Sequence, residues 1–138
     1  MAKPRSFLFY AVTLGILTMM MPMGTDIFLA SMPAFARGYG MPAGAAELTL
    51  AAFFAGNAAG QIMWGPLSDR FGRKPIIIFA LSAYFLAALA IALSDNFTLA
   101  VVLRVVQGIS ASSGRILANA VARDLFDRAR LAKLIAFV

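Results

Sequence analysis

The sequence predicts an all-α membrane protein, and the prediction rests on composition and on the placement of charge. Of the 138 residues, 62% are hydrophobic and only 13% are charged, whereas a soluble domain is nearer half apolar. The apolar residues form four runs, each long enough to cross a bilayer as a helix. Basic residues gather at the ends of these runs. Orientation in a membrane therefore explains the net charge of +6, and no nucleic-acid partner is expected.

The first predicted helix covers about residues 7–32 and is uncharged until Asp26. Pro22 and Gly24 should weaken or kink it, which membrane helices tolerate when neighbouring groups satisfy the freed backbone. A carboxylate inside a span is energetically costly and is a functional candidate by default. Asp26 therefore stands out in this helix.

The second predicted helix covers about residues 47–64. Gly56 and Gly60 belong to a row of small residues at helical spacing, which predicts a face where another helix approaches closely. Asn57 and Gln61 lie on a different face, where they are expected either to bond across helices or to line a cavity.

Two more helices are predicted at about residues 76–93 and 97–121, and a fifth apolar run starts at about residue 131. The third helix is almost wholly apolar, as expected of a scaffold or lipid-facing helix. The fourth carries a stripe at the i, i+3, i+4, i+7, i+11 spacing of one helix face, which should turn inward. That stripe consists of Arg104, Gln107, Gly108, Ala111 and Arg115.

The stretch at residues 65–75 places one acid and three bases between two apolar runs. Gly65 and Gly72 permit tight turns, so the stretch is predicted to be a short loop between two spans. Asp69 lies among Arg70, Arg73 and Lys74, where a turn with internal ion pairs is expected. The basic residues here, at the N-terminus and at residues 123–133 share one side, so the N-terminus is predicted to be cytoplasmic.

The chain contains no cysteine and no histidine. This composition excludes disulfides, thiolate chemistry, Cys/His metal sites and any histidine-based triad. No Gly-rich phosphate loop is present either. An enzyme is therefore not expected, and neither is a metal or an organic cofactor.

Three motifs resemble one transporter family in the expected order. Residues 65–74 resemble the G-x-L-a-D-R-x-G-R-K loop between helices two and three of the major facilitator superfamily. Residues 104–108 resemble the R-x-x-Q-G motif in helix four of its proton-coupled members. Residues 25–33 resemble the end of helix one in drug:proton antiporters, particularly the bicyclomycin and chloramphenicol resistance type, although Met32 departs slightly from the usual pattern.

The resemblance implies a twelve-helix transporter built from two six-helix halves. Residues 1–138 would then be part of the N-terminal half, a fragment with four helices and the start of a fifth. The implied activity is efflux of drugs or small lipophilic molecules across the inner membrane, driven by the proton gradient without a cofactor. The expected partners are the bilayer, a small-molecule substrate and the missing C-terminal helices.

Asp26 is predicted to carry the transported proton, with Arg104 at a similar depth as its partner if both helices border the cavity. Candidates for lining the substrate cavity are Met20, Met23, Asn57, Gln61, Gln107, Ser110 and Arg115. The resemblance also implies a conformational latch in which Asp69 bonds to a helix N-terminus of the second half. The latch residues are Gly65, Asp69, Arg70, Gly72, Arg73 and Lys74.

Other interpretations remain open at this stage. A carrier of another small metabolite from the same superfamily would be favoured if Asp26 were dispensable. A complete four-helix protein, similar to the small multidrug exporters and acting as a dimer, is a second alternative. A membrane scaffold is a third, and the charged residues inside the first and fourth helices argue against it.

Overall fold

A computed structural model describes residues 7–42 and 44–125. Within these ranges the chain is α-helical and contains no strand, which confirms the predicted all-α class. The five helices are α1 (Phe7–Thr18), α2 (Met20–Gly38), α3 (Ala45–Phe71), α4 (Arg73–Leu93) and α5 (Phe97–Leu125). The predicted start of a further helix near residue 131 lies outside the described residues.

The first predicted helix is present as α1 and α2, which meet at Met19 with a bend of 43°. The bend follows from Pro22, because proline has no N–H and its ring clashes with the carbonyl four residues earlier, here Thr18. The hydroxyl of Thr18 donates at 2.8 Å to the carbonyl of Gly15, which also accepts the N–H of Met19. After the bend the helix continues to Gly38, beyond the expected end at residue 32.

The predicted loop at residues 65–75 is almost entirely helical. Helix α3 continues through Phe71 and α4 begins at Arg73, which leaves Gly72 as the single residue between them. Gly72 has φ +89° and ψ 154°, a backbone region that is essentially open to glycine alone. The loop prediction was therefore wrong. The charged residues sit at the ends of two helices, where they reach water without interrupting the backbone hydrogen bonds.

Helix α5 is the centre of the bundle and packs against each of the other four helices. Its contact with α3 is the tightest, because glycines let the two backbones touch. Gly56 of α3 lies against the carbonyl of Val105, and Gly108 of α5 lies against the carbonyl of Phe53. The predicted small-residue face of the second helix is thus the one that meets α5.

Two described helices, α4 and α5, are each long and apolar enough to cross a membrane, and the bent pair α1 and α2 adds a third if it forms one span. Helix α3 has 27 residues, which is long enough, but Asn57 and Gln61 make it less apolar. The count of four spans stays a prediction.

Candidate functional site

Arg104 is a buried cation on the face of α5 that packs against α2. It lies seven residues into α5, roughly 10 Å from the helix start at 1.5 Å per residue, and only 9% of it is exposed. Its guanidinium carbon stacks 3.6 Å from the ring centroid of Phe28 on α2, and the ring of Phe35 lies 5.8 Å away. Cation–π attraction of this kind strengthens when the cation is removed from water.

The hydrogen bonds of Arg104 leave part of its guanidinium unsatisfied. Its Nη1 donates to Oε1 of Gln107 at 3.2 Å, so the predicted stripe residue Gln107 holds the arginine in place. Its Nε is buried without a partner among the described residues. No described carboxylate forms an ion pair with it. A buried charge without a counter-ion is costly, which makes Arg104 a candidate functional residue.

Two cavities open on either side of Arg104 and share Phe28 and Ser31 as walls. The larger, of about 490 Å³, is also lined by the predicted residues Met20 and Met23. The smaller, of about 410 Å³, continues toward the α4–α5 turn. The first is largely apolar, which suits a lipophilic guest, and the flexible methionines can adapt to its shape.

Asp26 does not meet Arg104. Its side chain is exposed, and its Oδ1 accepts a weak hydrogen bond from the hydroxyl of Thr25 at 3.4 Å. Phe28, two residues later, faces Arg104, and two residues on a helix are about 200° apart. The predicted proton site and its predicted partner therefore lie on opposite sides of α2 in this structure.

Three of the predicted cavity residues come together elsewhere. Asn57 and Gln61 on α3 and Arg115 on α5 line a cleft of about 190 Å³ beside the bend at Thr18 and Pro22. We call it the Asn57 cleft. Nε2 of Gln61 donates to Oδ1 of Asn57 at 2.9 Å.

Ser110, another predicted cavity residue, is placed differently. It is only 2% exposed, and its main-chain carbonyl accepts the hydroxyl of Ser113 at 2.6 Å. It lines none of the three cavities described above, so its position is that of a packing residue between helices.

Arg73 makes most of the polar contacts of residues 65–75, which we call the signature stretch. Its Nη1 lies 2.6 Å from Oδ1 of Asp69 and also donates to the hydroxyl of Ser68. Its Nε lies 3.2 Å from Oδ2 of Asp124 near the end of α5. Arg73 thereby ties the ends of three helices together. The guanidinium of Arg70 instead lies 5.3 Å from the ring of Phe71.

Tyrosines contribute to the site in ways that sequence reasoning missed. Tyr84 of α4 lines the larger Arg104 cavity, and its hydroxyl packs against Gly24, although α4 was expected to be a scaffold helix. A lone tyrosine in an apolar helix was the available signal. Tyr39 and Asp95 line the smaller cavity. Burial raises the pKa of the Tyr39 hydroxyl, and Asp95 raises it further, so the hydroxyl stays protonated and donates to the carbonyl of Ile91 at 2.9 Å.

Comparisons with a family model and with individual relatives identify the same family. The family model described as Major Facilitator Superfamily matches residues 14–138. A bicyclomycin resistance protein homolog of Haemophilus influenzae is 35% identical over the whole chain, which covers 35% of that protein. A multidrug resistance protein of a Shewanella species is 34% identical over 88% of the chain and 31% of its own length.

A chloramphenicol resistance protein of Pseudomonas aeruginosa is 33% identical over 75% of the chain and 25% of its own length. The chain therefore spans about a third or less of the length of these relatives. No solved structure gives a significant match.

Proposed function

This chain belongs to the Major Facilitator Superfamily, and we propose that it is part of a transporter that exports drugs or small lipophilic molecules in exchange for protons. Family membership makes it a membrane transport protein and not an enzyme, as the sequence predicted. Relatives named for bicyclomycin, chloramphenicol and multidrug resistance support drug efflux. The remaining helices of a twelve-helix transporter would complete the substrate path.

The observation that carries the proposal is the buried guanidinium of Arg104. It has no described counter-ion, and it borders two cavities that share Phe28. A fixed positive charge in this position repels protons and cations until a negative group arrives. Such a charge can link substrate export to proton uptake, because the binding of a substrate and the binding of a proton each change the electrostatic potential around Arg104.

Asp26 is the proposed proton carrier. Its carboxylate lies within α2, on the side of that helix opposite Phe28. Protonation removes the negative charge and lowers the energetic cost of leaving water. The resting separation from Arg104 means that coupling requires movement of α2 relative to α5, and the bend at Met19 supplies a natural joint for that movement.

The proposed orientation places the N-terminus and Arg73 on the cytoplasmic side of the inner membrane, following the positive-inside rule. Asp69 is half of an ion pair with Arg73 but remains 66% exposed. It can therefore still accept hydrogen bonds from a helix N-terminus of the second half. In this role residues 65–74 latch the two halves in the outward-facing state, and the exposed Lys74 meets anionic lipid.

Loss of the buried cation tests the proposal. We expect Arg104→Leu in the full-length protein to reduce export of a lipophilic drug at least about tenfold, because a barrier change of about 1.4 kcal/mol is enough for that factor. The readout is drug accumulation in cells with and without a protonophore. Arg123→Leu, the same change at an exposed position on α5, is the matched control. Export that persists with protonophore present, or that survives Arg104→Leu, contradicts the proposal.

The alternative is a superfamily carrier of another small metabolite. The small size of the Asn57 cleft, about 190 Å³, is the observation that favours it, since a small solute fits such a space whole, whereas a drug would place only one of its groups there. Undiminished proton coupling in Asp26→Asn, together with no drug export by the wild type, would select this alternative.

A further inference from the structure

The Asn57 cleft lies at the junction of α1 and α2 and midway along α3 and α5. Thr18 and Pro22 flank the bend at Met19, well inside the length of α1 and α2. Asn57 is near the middle of α3, and Ser112 is near the middle of α5. Broken helices at this depth are where transporters characteristically form their binding sites.

Asn57 supplies an unused hydrogen-bond donor in this cleft. Only 3% of the residue is exposed, and its Nδ2 has no partner among the described residues. Its Oδ1 is occupied by the amide of Gln61, which fixes the orientation of the Asn57 amide. A buried donor without an acceptor is unfavourable, so this site is ready for an acceptor.

The hydroxyl protons of Ser112 and Thr18 are used within their own helices, on the carbonyls of Ile109 and Gly15. Neither hydroxyl is therefore free to donate to a ligand, which leaves the amide of Asn57 as the buried side-chain donor of the cleft. Arg115 adds a guanidinium, which can only donate. No acidic side chain is among the residues that line the cleft. No carboxylate is therefore available in the cleft to pair with a cation, whereas the amide of Asn57 and the guanidinium of Arg115 can both donate to an acceptor.

We propose that the Asn57 cleft is a substrate subsite that takes an accepting oxygen, such as a carbonyl, amide or nitro group, of a neutral or anionic molecule. Asn57 donates to that oxygen, Arg115 strengthens its partial negative charge, and the apolar walls at Met21 and Ile116 hold the adjoining carbon skeleton. Lipophilic cations that lack an acceptor gain nothing from this subsite. The inference rests on the proposed export function and adds the class of substrate.

Direct binding tests the subsite apart from transport. The purified full-length protein is titrated with chloramphenicol, a neutral amide and nitro compound, and separately with tetraphenylphosphonium, a cation without an acceptor. We expect Asn57→Leu to weaken chloramphenicol binding about tenfold, the scale of one lost hydrogen bond. Tetraphenylphosphonium affinity, whatever its wild-type value, should stay within about twofold because that ion forms no hydrogen bond.

Two further variants keep the test decisive. Asn57→Asp retains the size of the side chain but replaces the donor with an acceptor, so it should also lose chloramphenicol and should gain affinity for the cation. Asn119→Leu makes the matched change at an exposed asparagine of α5 outside the cleft and should leave both affinities unchanged.

Each outcome is informative. If Asn57→Leu weakened the binding of chloramphenicol and tetraphenylphosphonium equally, Asn57 would be a packing residue. If chloramphenicol affinity were unchanged, the cleft would hold only water. Either result overturns the inference. No chloramphenicol binding to the wild type overturns it too. Asn57-dependent binding without proton-driven export supports the subsite and rejects the proposed function, so the two failures are distinguishable.

Discussion

Arg104 and Asp26 show what can be read from single residues and what cannot. Charge inside an apolar helix is visible in the sequence, and Arg104 is indeed buried. The partners of that charge were not visible, because the break at Met19 changes which residues of α2 face α5. Phe28 and Gln107 hold the arginine, while Asp26 faces away. The pairing of Asp26 with Arg104 was inferred only from their similar depth in the membrane. It was wrong because Asp26 lies on the face of α2 that points away from α5.

Gly72 is the residue on which the α3–α4 junction depends. Its φ of +89° is strained for any residue with a Cβ, so we expect Gly72→Ala to destabilise the full-length protein by about 1–3 kcal/mol. Thermal unfolding in detergent is the measurement. Gly65→Ala is the control, since a Cβ there meets nothing and alanine favours a helix by up to about 1 kcal/mol. A larger loss from Gly65→Ala than from Gly72→Ala would contradict this account of the junction.

At the scale of elements, the close contact of α3 and α5 was predictable and the helix ends were not. Small residues at helical spacing predicted a face for close approach, and Gly56 and Gly60 do lie against α5. The two glycines of residues 65–75 were interpreted as turn signals. Gly65 and Pro66 are nevertheless accommodated within α3, and only Gly72 adopts a conformation that ends a helix.

Gly108 allows α5 to approach α3 closely. A Cβ at this position would meet the carbonyl of Phe53, which is main chain and cannot rotate away. We expect Gly108→Ala to separate α3 from α5 and to cost about 1–3 kcal/mol of stability, as overpacked cores do. Detergent-solubilised full-length protein is compared by its unfolding midpoint. Gly38→Ala, at the end of α2 with open space around it, should leave the midpoint unchanged; similar losses in both variants would argue against the contact.

At the scale of the whole molecule, the signature stretch was recognisable in the sequence as a motif. Its ion pairs with other helices could be identified only from the structure. The link from Arg73 to Asp124 joins positions 51 residues apart in sequence, which no local pattern specifies. Such exposed pairs contribute about 0–1 kcal/mol each, so we assign them to positioning the helix ends and not to stability. The proposed latch to the second half uses the exposed part of Asp69.

Asp69→Asn tests the latch in the full-length protein. Residues 1–138 contain no cysteine, so in a full-length background with any further cysteines replaced, Ser31→Cys places a single reporter in the wall of both Arg104 cavities. We expect Asp69→Asn to slow labelling of that cysteine from outside, since fewer molecules remain outward-facing. Asp124→Asn breaks the link to Arg73 but spares Asp69, so labelling should be unaffected. Equal labelling rates in wild type and Asp69→Asn would argue against a latch.

The central claim is that proton movement and drug export are coupled through Asp26. The most direct measurement uses proteoliposomes of the full-length protein that contain a pH-sensitive dye and carry no imposed gradient. Addition of drug on one side should drive proton movement in the wild type. In Asp26→Asn, drug exchange across the membrane should continue while drug-driven proton movement is lost. Proton movement at the wild-type rate in Asp26→Asn would contradict the account.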